Sequence, residues 1–140
     1  MTDIYRVDVE ITAPVYDTEV TARVADAVTN LFPEADLEEG LGEIRGRAHS
    51  LDHFSELLHR QEILDTARAE FFDGREDGSF GFSLKKAAAF EGRVNFAVGN
   101  PDELGDMHVR VYVDEPSVEE FIDAVAPPTE DGKPITSDEP

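Results

Sequence analysis

Alternation of apolar and polar residues is the feature that most constrains the fold of this chain. Between Tyr5 and Ala13 every second residue is apolar, and the positions between them hold arginine, aspartate, glutamate and threonine. A two-residue period of this kind predicts a β-strand with one buried and one exposed face. The same pattern recurs from Glu43 to His49, Phe80 to Leu84, Val94 to Val98 and Met107 to Val113. The sequence therefore predicts a sheet of about five strands.

Several of the segments between these strands show the apolar spacing of an α-helix. Apolar residues recur three and four positions apart from Val20 to Leu31, behind a cap at Asp17 or Thr18, and again from Leu51 to Phe72 behind Ser50. A capping box, Ser117-Val118-Glu119-Glu120, opens a short last helix. This order predicts an α+β fold, in which a largely antiparallel sheet carries two main helices and a short C-terminal helix on one face.

Length and local composition predict the domain organisation. The 140 residues fit one domain, and no internal repeat is present. We expect a single α+β domain over residues 1–128. Residues 129–140 are rich in proline, serine, threonine and acidic residues, which predicts an acidic, disordered tail. Residues 34–42 are also acidic and are expected to form a loop.

The net charge of −20 reflects 32 acidic and 12 basic residues. Such a charge opposes compaction unless concentrated salt screens it, and the acidic residues are dispersed rather than gathered in one block. This pattern favours a halophilic protein over an acidic tail or a metal buffer. The chain has no cysteine, no signal-peptide pattern at its start and no apolar run of the roughly 20 residues that span a bilayer. We therefore expect a cytoplasmic protein without a membrane partner.

The candidate catalytic residues are few. His49 and His53 are four residues apart, but they fall at a junction between a strand and a helix, where helical ligand spacing does not apply. Asp65 and Arg68 are spaced for an ion pair on a helix surface. No phosphate-binding loop or zinc-protease motif occurs. The sequence thus predicts no enzyme activity, metal or cofactor, and a small enzyme of unknown class is the third hypothesis.

Basic residues gather on the strand face opposite the predicted helices. They are Arg6, Arg45, Arg47, Lys85, Arg93 and Arg110, against Asp8, Glu10 and Glu43. We expect this face to carry net positive charge, and His108, Asn95 and Tyr112 to add hydrogen bonds or stacking. Three interpretations remain open: cross-strand ion pairs without a partner, a homodimer surface, or an RNA platform. Arginine suits the last because its planar donor fork matches phosphate.

Several runs resemble an archaeal family, uncharacterised protein family 0201, that is associated with RNA binding. They are Arg60-Gln61-Glu62-Ile63-Leu64-Asp65-Thr66-Ala67-Arg68, Phe82-Ser83-Leu84-Lys85-Lys86-Ala87-Ala88-Ala89, Gly92-Arg93-Val94-Asn95-Phe96 and Ala126-Pro127-Pro128-Thr129-Glu130-Asp131-Gly132-Lys133-Pro134. The resemblance extends over about residues 4–134. It implies a fold similar to the large-subunit ribosomal protein that binds 5S RNA, a dimer, and no known activity. The chain departs from the family pattern at Lys85-Lys86-Ala87, where Asn-Lys-Gln is usual, and at Ala124, where tryptophan is usual.

The leading hypothesis is a non-catalytic binding or scaffold domain that forms a homodimer. The alternative is an RNA-binding protein that uses the arginine-bearing sheet face, with no DNA partner expected. The candidate contact residues for RNA or another partner are Arg6, Arg45, Arg47, Arg68, Lys85, Lys86, Arg93 and Arg110.

Overall fold

One open antiparallel sheet forms the centre of the molecule, as a computed structural model shows. The structure describes residues 6–97, 105–115, 117–130 and 133–134. The strands of the sheet are β1 (Arg6–Pro14), β2 (Asp36–Gly40), β3 (Glu43–Ala48), β4 (Arg75–Glu76), β5 (Ser79–Lys85) and β6 (Asp106–Glu115). Their spatial order is β2-β3-β1-β6-β5-β4, and every neighbouring pair is antiparallel. The predicted α+β class is confirmed, with one more strand than expected.

Five helices accompany the sheet. They are α1 (Thr21–Leu31), α2 (Asp52–Arg60), α3 (Leu64–Asp73), α4 (Lys86–Ala89) and α5 (Val118–Val125). Their buried residues pack against the buried face of the strands, where β1 and β6 contribute alternate valine, isoleucine and methionine residues. The residues between them on these two strands point away from the helices. Within the described residues, every helix is too short or too polar to cross a bilayer.

A cluster of phenylalanines fills the core between α2, α3 and β5. The ring of Phe71 lies 4.8 Å from that of Phe82 and 5.1 Å from that of Phe80, measured between centroids. Phe54 stacks on Phe82 at 5.5 Å, and Phe96 meets Phe82 edge-on at 5.9 Å. Tilted and edge-on pairs of this kind stabilise a core beyond the burial of apolar area. The helices are thereby fixed on one side of the sheet.

The prediction of one long helix from Leu51 to Phe72 is wrong, because the helix is interrupted between α2 and α3. Glu62 adopts a left-handed conformation with φ of 58°. The amide of Ile63 donates to the carbonyl of Leu58 at 3.1 Å, and that of Glu62 donates to His59 at 3.1 Å. These two bonds form a Schellman motif, which terminates a helix. The apolar spacing continued across the break, so periodicity alone did not reveal it.

Two further strand predictions differ from the structure. Residues 34–42 were expected to form a loop, but Asp36–Gly40 within them pairs with β3 as the edge strand β2. The segment predicted as a strand from Val94 to Val98 makes a single bridge, between Phe96 and Leu84, and Val98 lies outside the described residues. An acidic edge strand lacks the apolar alternation that marks a half-buried one, so its pairing partner decides its conformation.

One helix cap predicted from the sequence is confirmed by the structure, and another is wrong. Ser117 caps α5, because its Oγ accepts a hydrogen bond from the amide of Glu120 at 3.1 Å, as the capping box predicts. The cap predicted at Asp17 or Thr18 is wrong, since Val20 precedes α1 and provides no side-chain bond.

The chain after α5 is described only in part. Thr129–Glu130 and Lys133–Pro134 pair as the short antiparallel strands β7 and β8. Residues 131–132 and 135–140, on which the predicted acidic tail mainly falls, lie outside the described residues. The domain boundary at residue 128 stays a prediction.

Candidate functional site

The candidate site is the face of the sheet that points away from the helices, called here the outer face. Its side chains on β1, β3 and β6 are exposed at alternate positions, including Asp8, Arg45, Arg47, His108 and Tyr112. An open groove of about 800 Å³ follows β1, β2 and β3, and a second of about 570 Å³ lies between Arg6, His49 and Tyr112. Such a surface presents side chains from neighbouring strands to one extended ligand.

Two arginines on β3 lie in the larger groove. Arg47 is opposite Glu10 on β1 and Asp36 on β2, and its Nη2 lies 3.5 Å from the Glu10 carboxylate. Arg45 is opposite Glu38, and its Nε donates to Glu43. The hydrogen bond and charge of Glu43 raise the pKa of the Arg45 guanidinium above its ordinary value. Both guanidinium groups are exposed, and each lies beside a carboxylate.

The outward side chains of β6 lie in the middle of the outer face. Arg110 Nη1 donates to Ser79 Oγ at 3.2 Å and to the Glu76 carboxylate at 3.4 Å. His108 Nδ1 and Ser83 Oγ are 2.9 Å apart. Tyr112 is 44% exposed and borders both grooves. Because these residues alternate along one strand, they lie side by side on the same face.

Three other predicted contact residues lie near the margins of this face. Arg6 is at the beginning of β1, where its Nε is 3.5 Å from the Glu115 carboxylate. Lys85 ends β5 opposite Asp106 and is partly exposed. Arg93 is exposed but lies between α4 and the Phe96 bridge, outside any strand.

Lys86 is not a surface contact residue, so its prediction as one is corrected. Its side chain has 0% exposure, and its Nζ donates to the Pro14 carbonyl at 2.6 Å and to Glu19 Oε1 at 2.6 Å. The Tyr16 ring lies 4.8 Å from the same ammonium group. Lys86 therefore ties α4 to the chain between β1 and α1, and it cannot reach a ligand without breaking that contact.

Arg68 also lies away from the outer face. It is on α3, where Nη1 donates to Asp123 at 2.6 Å and to the Ala126 carbonyl at 3.2 Å. Its guanidinium carbon is 4.9 Å from the centre of the Phe72 ring. The ion pair predicted with Asp65 is wrong, because Arg68 joins α3 to α5 instead. Its role is to hold two helices together.

The prediction of net positive charge on the outer face is wrong. The strand registers add outward carboxylates that were not counted from the sequence: Asp36, Glu38, Glu76, Asp106 and Asp114. With Asp8, Glu10 and Glu43 they outnumber the outward cations of the strands. Strand β2 supplies two of them. The hairpin signal Gly40-Leu41-Gly42, followed by a recognised strand, could have revealed β2.

The histidines are not brought together. His49 lies at the outer face, with Nδ1 3.0 Å from the Asp8 carboxylate and 3.2 Å from the Val7 carbonyl. His53, on α2, borders a separate crevice beside Phe32 and Pro33. In the parts of the chain that the structure describes, no group of three or more potential ligands is placed to hold a metal ion.

The fold and the site define a small α+β domain in which, among the described residues, helices cover one face of the sheet and the other face is exposed. A family model described as RNA binding matches residues 8–113, which include most of that sheet. A UPF0201 protein of Methanopyrus kandleri is 42% identical over 141 residues, covering 91% of this chain and 89% of the relative. The chain belongs to this archaeal family, uncharacterised protein family 0201, as the sequence runs predicted.

Two other relatives extend this result. The crystal structure of the UPF0201 protein from Methanococcus jannaschii superposes with a TM-score of 0.85 at 36% identity, covering 92% of this chain and 99% of that one. An Archaeoglobus fulgidus protein named UPF0200/UPF0201 is 39% identical over 130 residues, which are 92% of this chain. The chain spans only 40% of that relative's length, so it is similar to one part of a larger protein.

Proposed function

We propose that this chain is a non-catalytic protein that binds RNA through the outer face of its sheet. The observation that carries the proposal is the position of this face. It is formed by residues inside the segment matched by the RNA-binding family model, and it is the broad side of the sheet away from the helices. The family association favours RNA over DNA as the nucleic acid.

The ion pairs on this face are compatible with phosphate binding. Arg45 and Arg47 are 70% and 79% exposed, and exposed ion pairs contribute about 0–1 kcal/mol. A phosphate group can therefore displace a carboxylate from a guanidinium at little cost in free energy. The phosphate then accepts two parallel hydrogen bonds from the guanidinium. In molar salt, screening confines the repulsion by the net charge of −20 to a few ångströms. We place the protein in the cytoplasm of a halophilic cell, where these conditions hold.

The residues considered for catalysis support the non-catalytic part of the proposal. His49 and His53 border different grooves, and Arg68 is engaged by Asp123 and Ala126. A reaction that needed an acid, a base and an anion-binding group would require them to converge on one substrate. His49 and His53 line different grooves, and Arg68 lines neither of them.

An electrophoretic mobility shift with total RNA in molar potassium chloride tests the proposal. We expect the wild-type protein to retard RNA and the variant Arg45→Ala/Arg47→Ala to bind it at least several-fold more weakly. The matched control is Arg23→Ala/Arg60→Ala, which removes two exposed arginines from the helices and leaves the outer face intact. Equal losses in both variants, or no shift by the wild type, would contradict RNA binding by this face.

We also propose that the RNA-binding unit is a homodimer. Two exposed apolar residues outside the strands support self-association: Leu41 is 102% exposed and Val20 is 61% exposed. Light scattering should give twice the chain mass of 15.5 kDa, and a value near 15.5 kDa at micromolar concentration would exclude a stable dimer.

A further inference from the structure

Three side chains with planar groups form a row along β6 on the outer face: His108, Arg110 and Tyr112. Alternate residues of a strand are roughly 7 Å apart, so the three side chains leave the backbone of β6 at regular intervals along the strand. Two of them are held by side chains of the neighbouring strands β5 and β4. Ser83 holds the His108 ring, and Ser79 and Glu76 hold the Arg110 guanidinium.

The neighbouring strand leaves this row uncovered. The residues of β5 opposite Tyr112, Arg110 and His108 are Ser79, Gly81 and Ser83, all of them small. A Cβ at Gly81 would lie 2.6 Å from Arg110 Nη2, so the guanidinium would have to move to admit one. The guanidinium therefore rests across the glycine, close to the surface of the sheet. Small residues on β5 keep the faces of the planar groups accessible to a flat ligand.

The charges around the row limit how it can attract RNA. On β1 the residues opposite Tyr112 and Arg110 are Asp8 and Glu10, and Glu76 contacts Arg110 from the other side. These carboxylates offset the guanidinium charge, so phosphates gain little from this part of the face. Stacking of a base on an aromatic ring contributes about 1–3 kcal/mol and needs no net charge.

We infer that His108, Arg110 and Tyr112 form a stacking platform for the unpaired bases of single-stranded RNA. The inference rests on the proposed function and makes it more specific. A duplex hides the faces of its bases, whereas a single strand can place them on tyrosine, histidine or arginine planes. The platform explains how an acidic molecule holds RNA in concentrated salt, where counterion release contributes little.

The dependence of affinity on salt follows from this inference. The logarithm of the affinity for a single strand falls by about 0.7 per neutralised phosphate for each tenfold rise in salt. With one or two phosphate contacts, a fivefold rise in potassium chloride should weaken binding by roughly threefold to tenfold. A surface that bound mainly through phosphates would lose far more.

Fluorescence anisotropy with a labelled unstructured RNA and with its duplex, in molar potassium chloride, tests the inference. We expect the single strand to bind more tightly. Tyr112→Ala should weaken it by about fivefold to 150-fold, the equivalent of one lost stack, whereas Tyr112→Phe should retain binding. The control is Tyr16→Ala, since Tyr16 is also 44% exposed but lies off the sheet. Circular dichroism checks that each variant is folded.

A second variant makes the test independent of Tyr112. Gly81→Ala should displace the Arg110 guanidinium and weaken single-strand binding, because the added Cβ occupies its resting place. If the wild type binds duplex and single strand equally, or if Tyr112→Ala and Gly81→Ala stay within twofold of it, the platform is refuted while RNA binding stands. If the wild type binds neither RNA, both proposals fail.

Discussion

Replacing Lys86 by methionine should destabilise the protein more than any exposed charge substitution. The lysine has 0% side-chain exposure and its partner Glu19 has 7%, and their Nζ and Oε1 atoms are 2.6 Å apart. Methionine keeps the length and apolar packing of the lysine stem but removes the ammonium. Among the residues that the structure describes, the buried Glu19 carboxylate would then keep one hydrogen-bond donor, the Tyr16 amide at 3.0 Å.

The size of the effect follows from this loss of one partner. Removing one member of a buried ion pair costs about 3–5 kcal/mol, because an uncompensated charge stays in the protein. With a urea dependence of about 2 kcal/mol per molar, Lys86→Met should lower the unfolding midpoint by about 2 M. Urea titration at a constant molar concentration of potassium chloride measures this without changing the ionic strength.

A double-mutant cycle separates the charge effect from packing. Lys86→Met/Glu19→Leu removes both charges and should recover most of the stability, because an apolar pair can replace a buried ion pair at little net cost. Lys85→Met is the control, since Lys85 is partly exposed and should change stability by about 0.5 kcal/mol or less. The reasoning is refuted if Lys86→Met costs less than about 1 kcal/mol, or if the double variant is as unstable as the two single losses added together.

Two further predictions concern the break between α2 and α3. Glu62→Gly should stabilise the protein by up to about 1 kcal/mol in urea titration, because glycine adopts the φ of 58° without the strain of a side chain, and Glu62→Ala should give no such gain. Gln61→Ala should cost about 1–3 kcal/mol in the same assay. The Gln61 amide donates to the Val94 carbonyl at 2.9 Å and accepts from its amide at 2.8 Å, so alanine leaves both groups without a partner, whereas an unchanged midpoint would argue against that pairing.

The sequence predicted the fold best where apolar periodicity and burial agree. Strands β1, β3, β5 and β6 and helices α1 and α5 each place an apolar stripe against the core, so alternation or helical spacing identified them. The break at Glu62 escaped prediction because a glutamate occupies the left-handed position where glycine is usual. Gln61 binds Val94, which is distant in sequence, so the local pattern contained little information about the break.

The candidate site was predicted less well than the fold, because contact residues depend on three-dimensional neighbours. Arg45, Arg47 and Arg110 lie on the outer face as expected from strand alternation. Lys86 directly follows a strand lysine, yet α4 begins there and turns its side chain into the molecule. Sequence position alone does not distinguish a lysine that meets solvent from one that meets a buried carboxylate.

The charge of the outer face shows why the type of contact matters more than the number of arginines. Edge strand β2 places Glu38 and Asp36 opposite Arg45 and Arg47, so each guanidinium is balanced within the sheet. A face on which carboxylates outnumber cations does not attract RNA by charge, but it keeps planar groups exposed in a molecule with a net charge of −20. Recognition by stacking and directed hydrogen bonds survives concentrated salt, whereas recognition by charge alone weakens steeply in it. The registers of β1, β2 and β3 place a carboxylate beside Arg45 and Arg47, so a phosphate has to displace that carboxylate, and its net gain is smaller than at an unpaired cation.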